Sequence, residues 1–187
     1  MSQLVLYAMT QKGHVVVEAL AKMHPGILHA VVGARDPKLR EDYYQQIVDL
    51  CQDAGIPFYD RSDAPNFDQH TALAVSWRWM IRGNGTRLIV FHDSLLPRYR
   101  GFNPLVSALI NGDQRIGVSA LFASEQYDRG PLIHQSAVDI RYPITIQAAI
   151  DAILPCYTRL TIAIAEKVAQ DQEIPTTQQD EAAASYS

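Results

Sequence analysis

Apolar residues fall along this chain in short runs separated by glycine, proline and charged turns. Leu4–Ala8, Ile27–Val32, Ile56–Tyr59, Leu73–Ser76 and Arg87–Phe91 read as strands, because they are brief, β-rich and bounded by breakers. Between them, Gly13–Met23 and Pro37–Ala54 carry apolar positions at helical spacing, and Gly55 is a C-terminal stop for the second. A further helix is predicted over Pro104–Ile110, ending near Asn111-Gly112. Val118–Ala123 and Leu132–Ile140 are expected to be strands paired antiparallel. Thr145–Gln170 is a long helical pattern interrupted by Pro155, which predicts a kink or break.

Alternation of strand and helix through the first half implies parallel pairing with right-handed crossovers. The expected fold class is therefore α/β: a Rossmann-like, doubly wound, mostly parallel sheet with helices on both faces and an added antiparallel strand pair. Residues 1–170 are read as one domain. From Asp171 the chain turns to Gln, Thr, Ala and Asp and loses periodicity, so 171–187 is read as an extended tail or linker.

Composition narrows the function. With 187 residues the chain is long enough to bury a sizeable core, and 48% hydrophobic with 19% charged residues is ordinary for a soluble protein. A net charge of −4 argues against nucleic-acid binding through a basic surface. Cys51 and Cys156 sit in apolar helical patterns and read as buried free thiols, with no metal site. No stretch reads as a membrane span, and the start of the chain, Met-Ser-Gln-Leu-Val-Leu-Tyr7, lacks a basic leader region. A cytoplasmic protein is expected.

Chemistry concentrates where the run Leu88-Ile-Val-Phe91 ends on His92. The carboxyl ends of parallel strands face the ligand crevice in open α/β sheets, so a histidine there is well placed for proton transfer. Downstream, Tyr127-Asp-Arg-Gly130 offers a carboxylate, Asp128, in a second glycine loop. Arg98 and Arg100 flank Tyr99 and suit a carboxylate or phosphate, although for Arg100 a salt bridge to a nearby loop fits equally well. After the first strand, Ala8-Met-Thr-Gln-Lys-Gly13 is not a Gly-x-Gly-x-x-Gly turn, so dinucleotide binding has no glycine cradle. Lys12 and Gly13 stand at a helix start, where the dipole favours an anion; a solvated lysine is the plainer alternative.

His92-Asp-Ser-Leu-Leu-Pro-Arg-Tyr-Arg-Gly101 resembles the His-Pro-Ser-Leu-Leu-Pro-Lys-Tyr-Arg-Gly signature of the folate-dependent formyltransferases, which act on glycinamide ribonucleotide, methionyl-tRNA or nucleotide-linked sugars. The likeness continues through Pro104, Ala108-Leu-Ile-Asn-Gly-Asp113 and Ile116-Gly-Val118 to Asp128-Arg-Gly130, which is similar to the family's Asp-Thr-Gly loop. Gln179-Asp-Glu181 to Ala184-Ser-Tyr186 resembles the segment that leaves this domain in the sugar and tRNA enzymes.

This resemblance implies an N-formyltransferase that uses 10-formyltetrahydrofolate as co-substrate and a primary amine of a small metabolite as acceptor, the tail hinting at a nucleotide-linked amino sugar. It implies His92 as the proton-transfer group, with Asp128 orienting the ring, favouring its charged form and ordering a relay water. Trp77, Trp79, Met80 and Ile81, with Tyr127 and Gly130, would line the folate site. Nucleic-acid and membrane partners are not expected; an exposed arm after Asp171 suits exchange within a homodimer.

The sequence departs from the family at Val90, where most members have an asparagine whose amide helps hold the formyl oxygen. Substitutes are protonated His92, Asn103, a backbone amide or a water. Asp93, where the family has proline or another uncharged residue, either binds the substrate amine or caps the turn. Val90 also motivates the alternative of an impaired or non-catalytic module that keeps folate or nucleotide affinity.

Overall fold

Strand β1 (Leu4–Ala8) is buried at all five positions in the computed structural model, which describes residues 3–81 and 87–187. Met1 and Ser2 lie outside the described residues. A strand apolar on every residue is one covered on both faces, the usual state in a parallel sheet. The chain forms two units, Met1–Ile89 with Thr161–Ile174, and Val90–Leu160 with Pro175–Ser187.

In the first unit β1 pairs in parallel with β2 (Leu28–Gly33) on one side and β4 (Thr71–Val75) on the other. β3 (Phe58–Asp60) pairs in parallel outside β2, giving the order β3-β2-β1-β4, with β5 (Leu88–His92) beyond β4. Helix α1 (Thr10–Met23) follows β1, and α2 (Tyr44–Asp53) connects β2 to β3. Val5, Tyr7, Ala30, Val32, Phe67 and Ala72 make one core cluster, against which Trp77 and Ile81 pack. Burial pushes the Cys51 thiol up to about 12, so at neutral pH it is an inert apolar group.

The helix expected over Pro37–Ala54 is shorter, beginning only at Tyr44. Carboxylates of Asp36 and Asp42 accept from the backbone amides of Lys38, Asp36 and Tyr44, at 3.1 Å each. Aspartate side chains offer these amides partners outside a helix, and Tyr43 then turns through φ +59° before α2 starts. Helical spacing alone does not register that competition.

In the second unit the end of β5 is followed in the strand order by β6 (Arg115–Phe122) and β7 (Leu132–Asp139). These two are antiparallel, with Ser119 opposite Gln135 and an irregularity between Ala120 and Leu121. Helix α3 (Pro104–Ile110) begins with proline at its first turn, as its sequence predicts. The closing segment belongs to this unit: Thr177 bridges Leu132, Glu181–Ala183 forms a 3-10 turn, and Tyr186 bridges Arg100.

Helix α4 (Ile146–Ala169) bears on two expectations. It continues without a break through Pro155. At 24 residues it is also long and apolar enough, by length and composition, to cross a membrane. Its apolar character is at least partly that of a core helix: Ala149, Ile153, Cys156, Tyr157, Leu160 and Ile164 are buried and recur at helical spacing.

Candidate active site

His92 closes β5 and is 8% exposed. Its Nε2 lies 2.7 Å from the carbonyl oxygen of Tyr99. A carbonyl only accepts, so Nε2 carries the hydrogen, and in the neutral ring Nδ1 holds the lone pair. Nδ1 is 3.4 Å from Oδ1 of Asp128, close enough for an ion pair once Nδ1 takes a proton. The ring is thereby set to accept at one nitrogen while the other is held by backbone.

Asp128 is fixed from its other oxygen. Oδ2 accepts from the backbone amide of Gly101 at 2.9 Å, joining the loop after β6 to the turn after β5. Tyr99, Asn103 and Asp128 all have positive φ, at +58°, +55° and +59°. Non-glycine residues in that region carry about 1–3 kcal/mol of strain each, which persists only where the surroundings over-determine the conformation.

The closing segment supplies that restraint. Ser185 Oγ accepts from the Tyr99 amide at 2.9 Å, and its carbonyl accepts from the Arg100 amide at 2.8 Å. The Ser187 amide donates to the Arg100 carbonyl at 2.9 Å, and Ser187 Oγ donates to the Phe102 carbonyl at 2.6 Å. Gln179 Nε2 donates to the carbonyls of Asp128 and Gly130, both at 2.8 Å.

Arg100 differs from its expected anion-binding role. It is 1% exposed, and its guanidinium donates to Gln179 Oε1 and to both oxygens of Glu181, at 2.7–3.2 Å. All this donor capacity is spent within the chain, the salt-bridge alternative raised above. Arg98 is likewise engaged, by Asp113 and the Tyr99 hydroxyl.

Asp93 accepts from the hydroxyl of Tyr157 at 2.6 Å. Tyr157 is buried, and desolvation, then the charge of Asp93, pushes its phenol well above the ordinary tyrosine range. Asp93 is therefore anchored by a residue of α4 that sequence reasoning did not single out; a tyrosine in an apolar helix gives no signal of its partner.

Val90 lies on the same side of β5 as His92, by strand alternation, and offers no donor. Asn103 is exposed, and its amide makes no hydrogen bond to a described residue. Tyr127 is exposed. Gly130 has a packing reason to be glycine: a Cβ there would stand 1.7 Å from the Phe122 carbonyl oxygen.

The first unit holds the other candidates. Trp77 meets Tyr7 and Trp79 edge to face, each at 5.2 Å, and Arg61 lies over the Trp79 ring at 4.6 Å. Trp77 Nε1 is buried without a partner among the described residues. Met80 is exposed and Ile81 half-buried. The Gly13 amide donates to the Met9 carbonyl at 2.9 Å and Gly13 is buried, so this amide is unavailable to an anion; Lys12 is half-buried beside it. Arg78 pairs with buried Asp36, and the Thr10 hydroxyl donates to that of Ser76 at 3.2 Å. Among the described residues no group of three His, Cys, Asp or Glu is placed to hold a metal ion.

Residues 79–155, which contain His92, Asp128 and the turn between them, match the family model described as formyl transferase. Over that segment the chain is similar to formyl transferases. A methionyl-tRNA formyltransferase of Pelotomaculum thermopropionicum is 39% identical over 79 residues, 42% of this chain and 25% of that protein. Mouse mitochondrial 10-formyltetrahydrofolate dehydrogenase is 32% identical over 98 residues, 52% of this chain and 11% of that protein. The matches thus span a minor part of those relatives. In fold, the chain resembles the sugar 3N-formyltransferase WlaRD, whose structure was determined with dTDP and 5-N-formyl-THF, at TM-score 0.79 and 15% identity, over all of this chain and 69% of that one. It also resembles the phosphoribosylglycinamide formyltransferase of Anaplasma phagocytophilum at TM-score 0.72 and 19% identity, over 97% and 96% of the two chains.

Proposed function

We propose that this chain transfers the formyl group of a 10-formyltetrahydrofolate donor to the primary amine of a small metabolite, with a nucleotide-linked amino sugar as the acceptor class. The observation that carries the reading is the His92–Asp128 pair, with Nδ1 directed at a carboxylate and Nε2 tied to backbone, inside a formyl transferase segment. The acceptor class draws on the sugar formyltransferase fold likeness and on the Gln179–Tyr186 segment.

In this mechanism the amine nitrogen attacks the formyl carbon and the carbonyl electron pair moves onto oxygen. His92 Nδ1 takes a proton from the amine, and Asp128 balances the imidazolium so formed. The bond from carbon to the folate N10 then breaks, its electron pair returning to N10, which receives the proton as the carbonyl re-forms. An amine arriving as ammonium releases one further proton to solvent. Asn103 supplies the donor to the developing oxyanion that Val90 lacks. The test is turnover of nucleotide-linked amino sugars with a formyl donor, read as a mass gain on the acceptor, together with His92→Ala. Turnover unchanged by that substitution overturns the reading.

Val90 favours a second reading, a module that binds folate without turnover. Calorimetric binding of a non-reactive formyl-folate analogue, with no acceptor formylated by the intact chain, would decide for it.

A further inference from the structure

We propose that Gln179, held by Arg100, is a positioning residue that sets the His92–Asp128 pair, a role that rests on the formyl-transfer reading only for its kinetic consequence. The two residues of the pair come from different loops, and each loop has its critical residue at positive φ: Tyr99, which holds His92 Nε2, and Asp128 itself. Neither conformation is self-sustaining in an isolated loop.

Gln179 is where the two loops are tied together by one side chain. Its two amide hydrogens go to the carbonyls of Asp128 and Gly130, the residues on either side of Arg129. Its oxygen goes to Arg100 Nη2 at 2.7 Å and Nε at 3.2 Å, one residue beyond Tyr99. The orientation of the amide is settled by chemistry, since carbonyls only accept and a guanidinium only donates; the flipped amide would oppose like groups on both sides. Arg100 in turn is buried and could not be left with its charge uncompensated, so Glu181 neutralises it while Gln179 uses its remaining hydrogens. A change at Gln179 therefore releases Asp128 from one side and the Tyr99 turn from the other. Slack of about 1 Å between reacting groups is enough to cost about a hundredfold in rate.

The test uses the full chain with 15N-labelled histidine. Ring nitrogen shifts, assigned by comparison with His92→Gln, report which nitrogen of His92 carries the hydrogen. In the unaltered chain the neutral ring keeps it on Nε2. Gln179→Glu retains a partner for Arg100 but turns a carboxylate toward two carbonyls. It is expected to stay folded, to show both ring tautomers, and to lose about a hundredfold in kcat with KM for both substrates changed less than about threefold. Gln179→Leu should do the same. Should it fail to fold, Gln179→Glu and Ser185→Ala, which frees the Tyr99 amide, decide the matter. A folded Gln179→Glu chain with His92 wholly in the Nε2–H form and kcat intact overturns the proposal. Absence of formyl transfer in the unaltered chain would sink the functional reading alone, because the tautomer measurement stands without turnover.

Discussion

The carbonyl of Tyr99 accepts from Nε2 of His92 at 2.7 Å, so the backbone, and not a carboxylate, sets which ring nitrogen is free. Asp128 faces the other ring nitrogen, its Oδ1 lying 3.4 Å from Nδ1. Replacing His92 by alanine is expected to lower kcat by about 10²–10⁴, the usual contribution of a positioned proton-transfer group. Asp128→Asn keeps an acceptor for the Gly101 amide but removes the balancing charge, and a smaller loss is expected. Steady-state rates across pH check both.

Asn103 and Val90 make a linked pair of predictions. With Asn103 as the oxyanion donor, Asn103→Ala lowers kcat by about 10²–10³. Val90→Asn introduced into that variant should recover part of the loss, because it returns an amide to the strand position next to His92 on the same face. Equal rates for Asn103→Ala and the unaltered chain would assign the donor elsewhere.

Glu181 predicts an acid-sensitive tail. The hydrogen bond from Arg100 holds its carboxyl below the ordinary value of 4.5. Because the folded value is depressed, the stabilisation is complete above about 4.5 and is lost as pH falls through the lower, folded value. Glu181→Gln should therefore lower Tm at neutral pH, and the gap to the unaltered chain should close on acidification. Thermal melts at several pH values measure it.

Tyr157→Phe removes the hydroxyl that donates to Asp93 from within the core. Loss of a buried, charge-assisted partner should destabilise the chain by about 1–3 kcal/mol in urea unfolding.

Gly130→Ala is expected to be severe. The added methyl would overlap the Phe122 carbonyl, forcing apart the loop that carries Asp128, at about 3 kcal/mol with loss of activity. Expression followed by melting, with rates on whatever folds, gives the answer.

Much of this was legible in the residues. Short β-rich runs and their breakers located the seven strands of the described residues, most plainly β1 and β4, which are buried at every position and so leave an unbroken apolar signature. His92 and Asp128 were legible through their motif neighbours. What stayed hidden was side-chain bonding at a distance. Asp36 and Asp42 unmake a helix that spacing predicts, Pro155 sits in a helix that runs on, and Arg100 spends its charge on Gln179 and Glu181. The tail carries no periodicity since it is held by hydrogen bonds to loops, and such bonds leave no repeat in a sequence.

The clasp around Arg100 also has a bearing on how the protein is made. Its partners Gln179 and Glu181 are 79 and 81 residues downstream, so a ribosome must add all of those before the loop can be closed. Until then Arg100 lacks the carboxylate and the amide oxygen that it pairs with in the folded chain. The geometry of the loop around Arg100 therefore depends on residues synthesised well after it.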